Sequence, residues 1–475
     1  MNLASIKKLL IGKSANQVVF FNVLGPVILN GINFFTVPVF TRLLGAANYG
    51  LVSVYTTWVQ VFTIIMGLQT VGAISTARVN IPDEEHDKYY SSTLFLSCCS
   101  SAAVLVLTLL FIKPLSAFFE LDKLFVLLMV FHGFGAYVIS FVSMKYIHNK
   151  QASMNFVVSV ATSLASLAFS LVFIALTKNS DDYYVGRILG YAIPNIIIGL
   201  VLATTIFRKS KCTFNKTYWA FCLSLCVPLI FHNLSQIIMG QAGRVMIQKL
   251  LSDDALVGVY SFVFNFVHII NVLYSALNNT WVPFYFDHLK AGEYDRIHTR
   301  TKNYIEVYTI LSLGFMLLAP EVAKAFSSEE YWSGFSLIPV MVIAYYFVFL
   351  YSFPVNYEFF HKKTKTIAIG TVFSAVVNVV LNLFMIKLWG IMGAAIATAI
   401  SYFALFVFHH ISAKYVIKTD KYHYKVRMFI LPTAAIFVGA AVFFGFFDYW
   451  LIRWSIGAVL GLYLLFRVYK RKSIF

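Results

Sequence analysis

The sequence predicts an all-α integral membrane protein of about fourteen transmembrane helices, built as two parallel six-helix repeats followed by two C-terminal helices. Three observations predict it. Only 12% of the 475 residues are charged while 60% are hydrophobic, about half the charge of a soluble domain, which leaves too little polar surface to wet a globule. Uncharged runs close to the about 20 residues that a helix needs to cross a bilayer recur along the whole chain. Lys and Arg gather in alternate connections between those runs. A β-barrel would show short alternating strands instead, so the runs read as helices.

In chain order, the first run is the 28 uncharged residues Ser14–Thr41, preceded by Lys7, Lys8 and Lys13. A cleaved signal peptide would want a short apolar core and a small-residue cleavage site, so a retained first span is expected over 17–41. Further spans follow at 50–72, 90–112, 124–144, 155–177, 188–207, 218–243, 255–280, 303–320, 334–357, 366–386, 389–412, 428–447 and 450–466. Glu306 and Pro320 weaken the ninth, and Arg453 at its start weakens the fourteenth, so twelve or thirteen spans are the alternatives. The acidic run Asp83, Glu84, Glu85, Asp87 reads as a solvated loop. Glu321 and Lys324 read as an i,i+3 pair.

With the N-terminus inside, both termini are cytoplasmic, and the inward segments then hold most of the 37 Lys and Arg residues, at least two in each. A miscounted helix would scramble that alternation. The net charge of +17 is therefore a topology signal, with attraction to anionic lipid as its side effect, and no nucleic-acid partner is required. Loops are too short to fold alone, the largest inward one being Asp287–Lys302, so the function lies within the membrane. Cys98, Cys99, Cys212, Cys222 and Cys226 lie in or near apolar runs without metal-ligand spacing. No metal or cofactor is expected.

An internal repeat shows in common order at offsets a little over two hundred residues. Pro26 to Asn33 matches Pro228 to Ser235. Thr41-Arg42-Leu43-Leu44-Gly45 with Tyr49-Gly50-Leu51 matches Gln248-Lys249-Leu250-Leu251-Ser252 with Val257-Gly258-Val259-Tyr260. His148-Asn149-Lys150 matches His361-Lys362-Lys363, and Gly186 and Gly190 match Gly390 and Gly393. The implied plan is a six-helix half over 1–210, a second over 211–415 and two further helices over 416–475. An even number of spans per half makes the repeat parallel, and such halves can rock about a central cavity.

Residues 37–55 (VPVFTRLLGAANYGLVSVY) resemble the first-span exit of polysaccharide-biosynthesis exporters. So do residues 240–262 for the seventh span, the ALNNTWVPFYF run ending the eighth, and residues 376–402 for the eleventh and twelfth. The resemblance covers most of the chain and is to the Wzx-type O-antigen and capsule-unit flippases, in the superfamily that also holds multidrug extruders and the peptidoglycan-precursor flippase. It implies movement of an undecaprenyl-pyrophosphate-linked oligosaccharide, O-antigen or capsule unit, from the cytoplasmic to the periplasmic leaflet of the bacterial inner membrane. It also implies partners in glycan polymerase and chain-length proteins. The polyprenyl tail can stay in lipid, but pyrophosphate and sugars cannot cross about 30 Å of hydrocarbon unaided.

Charges within spans cost at least about 2.5–3.5 kcal/mol at a helix centre and so are read as functional. Arg244 is the sharpest candidate, on a polar stripe of His232, Asn233, Gln236, Gly240, Gln241 and Arg244 along the seventh span. Its other reading is that Arg244 and Lys249 snorkel outward or pair with Asp253 or Asp254. Arg42 reads as cavity lining or interfacial anchor. Arg78 reads as a cytoplasmic-side substrate contact or a plain positive-inside residue, and Arg187 as an outer anchor or a span charge. Asn30, Asn33, Asn265, His268 and Asn271 suit sugars, or hydrogen bonding between helices. Asn378 and Asn382 read as interhelical glue, His132 as packing, and His409 and His410 as interfacial. A multidrug or peptidoglycan-precursor exporter is the nearest alternative. A membrane glycan polymerase or ligase would want catalytic groups on a long outer loop, which the sequence lacks. A passive channel would want a charge ring or filter, and neither is present.

Overall fold

The computed structural model describes residues 15–177, 182–211, 213–416 and 422–471, and among these every regular element is helical. Helix α1 (Ala15–Gly67) contains the first two expected spans and breaks between them at Gly45, φ 69 and ψ 172, backbone angles that glycine adopts at little cost. The second span stops at Gly67, earlier than expected, because Leu68 and Gln69 both turn left-handed. A 3₁₀ turn, Thr70–Ala73, then leads into the short α2 (Ile74–Asn80). The third to sixth spans lie in α3 (His86–Leu110), α5 (Lys123–His148), α6 (Ala152–Leu176) and α7 (Tyr183–Lys209), with the short α4 (Ile112–Phe119) after α3. The seventh to tenth lie in α8 (Lys216–Leu251), α9 (Asp254–Lys290), α10 (Tyr294–Phe326) and α11 (Ile338–Phe360). Helix α12 (Thr364–Ile411) has 48 residues and leaves helical geometry at Trp389 and Gly390. Unbroken it would run about 72 Å against about 30 Å of hydrocarbon, so the break makes it the eleventh and twelfth crossings. Helices α13 (Arg427–Gly445) and α14 (Trp450–Arg471) complete the chain. Among the described residues twelve helical stretches are long and apolar enough to span a membrane, and two of the fourteen α-helices hold a pair of expected spans each.

The chain divides into two compact units, one of residues up to Leu44 with Leu51–Ile237, the other of Gly45–Gly50 with everything from Ile238 on. In the first, Tyr89, Leu94, Tyr137, Phe141 and Ile206 share one apolar core. The Tyr137 hydroxyl sits 2.7 Å from both Thr70 Oγ1 and Ser97 Oγ, which satisfies a polar atom that hydrocarbon would leave stranded. The acidic run is not simply solvated. Asp83 pairs with Arg78, Asp87 lies 3.3 Å from Lys145, and Glu85 accepts the Tyr218 hydroxyl at 2.7 Å.

In the second unit, Gly50 and Gly258 mark a contact of bare backbone. A β-carbon on Gly50 would stand 2.1 Å from the Asp254 carbonyl oxygen, and one on Gly258 would stand 1.9 Å from that of Ala46. Helices α13 and α14 pack on α10, and two ion pairs clamp α14 to it. Arg453 holds both carboxylate oxygens of Glu321 and donates to the carbonyls of Leu317 (2.7 Å) and Phe446 (3.1 Å). Arg467 donates to both oxygens of Glu306, at 2.9 and 2.5 Å. Glu306 and Arg453, the charges that weaken the ninth and fourteenth spans in the sequence, are thus each paired, Glu306 with Arg467 of α14 and Arg453 with Glu321 of α10. Glu321 therefore does not make its expected i,i+3 pair. The guanidinium fork matches a carboxylate better than one ammonium does, and Lys324 lies instead 5.1 Å from the centre of the Trp332 ring.

Candidate functional site

The seventh span, α8, carries Arg244 in its last third. Arg244 is 3% exposed. Its Nη2 donates to Asn265 Oδ1 of α9 at 2.7 Å, and the Asn265 amide donates on to the Tyr49 hydroxyl at 3.0 Å. The guanidinium lies 4.9 Å from the centre of the Phe264 ring, a cation–π contact that is stronger out of water. Tyr260 and Tyr345 stand close enough to act on its charge. Among the described residues no carboxylate reaches it. Asp253 is occupied as the α9 N-cap, accepting from the Leu256 amide, and Asp254 accepts from Gln248 at 3.0 Å. Arg244 Nε and Gln241 Oε1 are buried without hydrogen-bond partners. A charge held this way costs several kcal/mol to bury, and its spare donor points to an anion. The planar fork of arginine fits phosphate and carboxylate oxygens.

His268 and Asn271 continue the polar file along α9, with Asn271 Nδ2 3.2 Å from His268 Nε2. The His268 ring lies 5.7 Å from that of Tyr345, which lies 5.7 Å from Phe264. His268 is exposed, so the file runs from the buried guanidinium to the surface of this unit. Arg244, Asn265, His268 and Asn271 therefore come together, joined by Tyr49, Tyr260 and Tyr345, which the sequence did not single out. Tyr49 and Tyr260 appear in the sequence only as part of the repeat match, and tyrosines near span ends ordinarily read as interfacial anchors.

The other sequence candidates lie elsewhere. His232, Asn233 and Gln236 sit half-buried on the part of α8 that belongs to the first unit. The Asn233 amide donates back to the Leu229 carbonyl of its own helix at 3.0 Å. Arg42 is exposed, and Lys249 is half-buried at the end of α8. The side chains of Asn30 and Asn33 lie outside the described residues, as does Cys212. Arg78 borders a polar cavity of about 340 Å³ in the first unit with His86, Asp87, Lys145 and Lys209, where Asp83 and His86 Nδ1 (3.0 Å) already engage it. Arg187 packs 3.8 Å from the Phe40 ring centre and donates to Ser170 at 2.6 Å. His132 packs as expected, 3.2 Å from the Tyr55 hydroxyl. Asn382 donates to Asn378 Oδ1 on its own helix at 2.9 Å. His409, expected at the interface, is instead fully buried against Glu358, a carboxylate one residue beyond the expected end of the tenth span.

Comparisons with known proteins agree on the kind of molecule. The family model described as polysaccharide biosynthesis protein matches residues 16–288. An uncharacterized membrane protein of Haemophilus influenzae is 27% identical over 359 residues, covering 73% of this chain and 84% of its own length. The Lsg locus putative protein 1 of the same organism is 23% identical over 374 residues, covering 73% and 85%. Among solved structures, the lipid II flippase MurJ in an inward closed conformation aligns with TM-score 0.63 at 14% identity, over 95% of this chain and 99% of that one. A MATE transporter of Vibrio cholerae, VcmN, aligns with TM-score 0.58 at 14% identity, over 89% and 99%. At these identities the structural likeness shows a shared fold, that of the MurJ and MATE transporters.

Proposed function

The chain belongs to the polysaccharide biosynthesis protein family, and from that premise we propose that it is a flippase for lipid-linked oligosaccharide. Its substrate in this reading is an undecaprenyl-pyrophosphate-linked O-antigen or capsule unit, moved from the cytoplasmic to the periplasmic leaflet of the bacterial inner membrane. Two halves, 1–210 and 211–415, alternate access, the helices of 416–475 are additional, and both termini are cytoplasmic. Glycan polymerase and chain-length proteins are the partners that would use the product. Outward movement of an anion also runs with the usual inside-negative potential, gaining about 2.3 kcal/mol per charge per 100 mV.

The observation that carries this reading is Arg244, a buried cation with a neutral amide and aromatic rings about it and, among the described residues, no carboxylate in reach. A pyrophosphate supplies the missing charge, and Asn265, His268 and Asn271 supply hydrogen bonds of the kind sugars need. In the gene-deletion strain, lipid-linked repeat units accumulate with their sugars facing the cytoplasm and surface glycan falls. Unchanged glycan and unchanged precursor distribution would overturn the reading. A second reading, export of a peptidoglycan precursor, is favoured by the alignment with a lipid II flippase over 95% of this chain. Accumulation of that precursor in place of the repeat unit would select it.

A further inference from the structure

Glu358, near the end of α11, and His409, near the end of α12, have no exposed side-chain surface at all. His409 Nδ1 lies 2.7 Å from Glu358 Oε2. The remaining polar atoms of the pair, Glu358 Oε1 and His409 Nε2, are buried without hydrogen-bond partners. A β-carbon on Gly370 would stand 2.5 Å from that Nε2, so the imidazole has room only because position 370 carries no side chain. As a way to join two helices this arrangement is costly. Each unsatisfied buried atom carries its full desolvation penalty, and well-packed apolar residues of the same volume often hold as well as a buried ion pair or better. An ionisable pair kept at that cost in a membrane helix bundle points to a role for its charge.

The groups around it can relay a proton. On α11, the Tyr351 ring lies 5.1 Å from His409 and the Tyr357 ring 5.2 Å from Tyr422. Beyond α12, Lys414 faces His410, and His410 Nδ1 lies 3.1 Å from the Tyr422 hydroxyl, which stands within electrostatic reach of Glu358. His410 Nε2 and both ring nitrogens of His423 are buried without partners. Unfilled donors and acceptors packed so densely are the setting in which buried water is held.

We propose that Glu358 and His409 form a proton-binding site, reached from the α11 and α12 ends that the topology above places in the cytoplasm, by way of His410 and Tyr422. The pair with one proton is carboxylate and imidazolium, or carboxylic acid and imidazole. A second proton leaves both groups protonated, and loss of the first leaves carboxylate and neutral imidazole. The transport reading then acquires a coupling proton, but the site stands or falls without any transported substrate.

Full-length protein in lipid nanodiscs is compared by infrared difference spectroscopy between about pH 8 and about pH 5. The expected result is a protonated-carboxyl stretching band that forms on acidification, shifts in heavy water and is missing in Glu358→Gln. In His409→Gln the band's midpoint moves by about one pH unit or more. A band unchanged in Glu358→Gln, or the absence of any pH-dependent carboxyl band in the wild type, would overturn the proposal. Should Glu358→Gln fail to fold, an unmoved midpoint in a folded His409→Gln protein overturns it equally.

Discussion

Arg244 and Arg453 are both arginines sunk into the second unit, 3% and 1% exposed, yet they are held by different kinds of partner. Arg453 meets a bidentate carboxylate and two backbone carbonyls. Arg244 meets one neutral amide oxygen and an aromatic face, and keeps a donor free. The first arrangement is complete and fastens one helix to another. The second is incomplete and suits a ligand. The partner set, more than the depth of burial, separates a charge that holds the fold from a charge that serves it.

The largest expected effect breaks the complete site. Glu321→Ala leaves Arg453 buried and unpaired, and should cost about 3–5 kcal/mol, read as a steep fall in unfolding temperature and membrane yield. A loss under about 1 kcal/mol would mean that the two carbonyls and the aromatic surroundings suffice for a buried guanidinium.

A half-buried base that folding keeps neutral until the solution turns acid gives the next test. His423 precedes α13, outside the spans, and burial pushes its pKa down to about 4, with His298 adding to the effect. Its pKa is depressed on folding, so its contribution is intact above the ordinary histidine value of about 6.5 and is lost as pH falls towards about 4. The expected loss is at most about 3 kcal/mol, reduced by partial exposure. Unfolding temperature measured against pH should show it, and His423→Gln should flatten that profile. An identical profile in the variant would show that other groups govern acid stability.

At the incomplete site the prediction reverses. Arg244→Gln should leave unfolding temperature unchanged or raised, since a costly buried charge is removed, while transport falls about tenfold or more, equivalent to at least about 1.4 kcal/mol. Arg244→Lys should recover part of the loss, keeping the charge without the fork. Full transport in the glutamine variant at equal membrane expression would remove Arg244 from the site. The smallest effect belongs to the half-exposed clamp. Glu306 and Arg467 are 30% and 28% exposed, and Glu306→Gln should cost no more than about 1 kcal/mol, measured in the same thermal assay.

The spans were legible because hydrocarbon tolerates only long uncharged runs, and each of the fourteen falls in a helix. Arg244 was legible for the same reason, as a charge interrupting such a run. Asn265, its hydrogen-bond partner, was legible too, as a polar group within a span, but the tyrosines around it were not. Tyr49 lies far from Arg244 in the sequence, and a tyrosine after a span reads as an anchor. The clamps of Glu321 and Glu306 were equally hidden, because Glu321 has a nearer apparent partner in Lys324, Glu306 alone counts against its span, and only the fold introduces Arg453 and Arg467. Glu358 was missed because it falls one residue past an apolar run, where a carboxylate ordinarily meets water. The same logic puts His409 at the interface, yet helix packing seals both groups away.

The contact at Gly50 and Gly258 has a geometric reciprocity. Each glycine lies against the carbonyl four residues before the other one, as in an isologous handshake between two identical molecules about a twofold axis. In this chain both hands belong to one polypeptide, at matching positions of its repeat. Neither position is free to acquire a side chain on its own, because the obstacle at each is the backbone of the opposite repeat. A side chain at either glycine would have to displace the very segment that carries the other, so the two positions constrain each other as one.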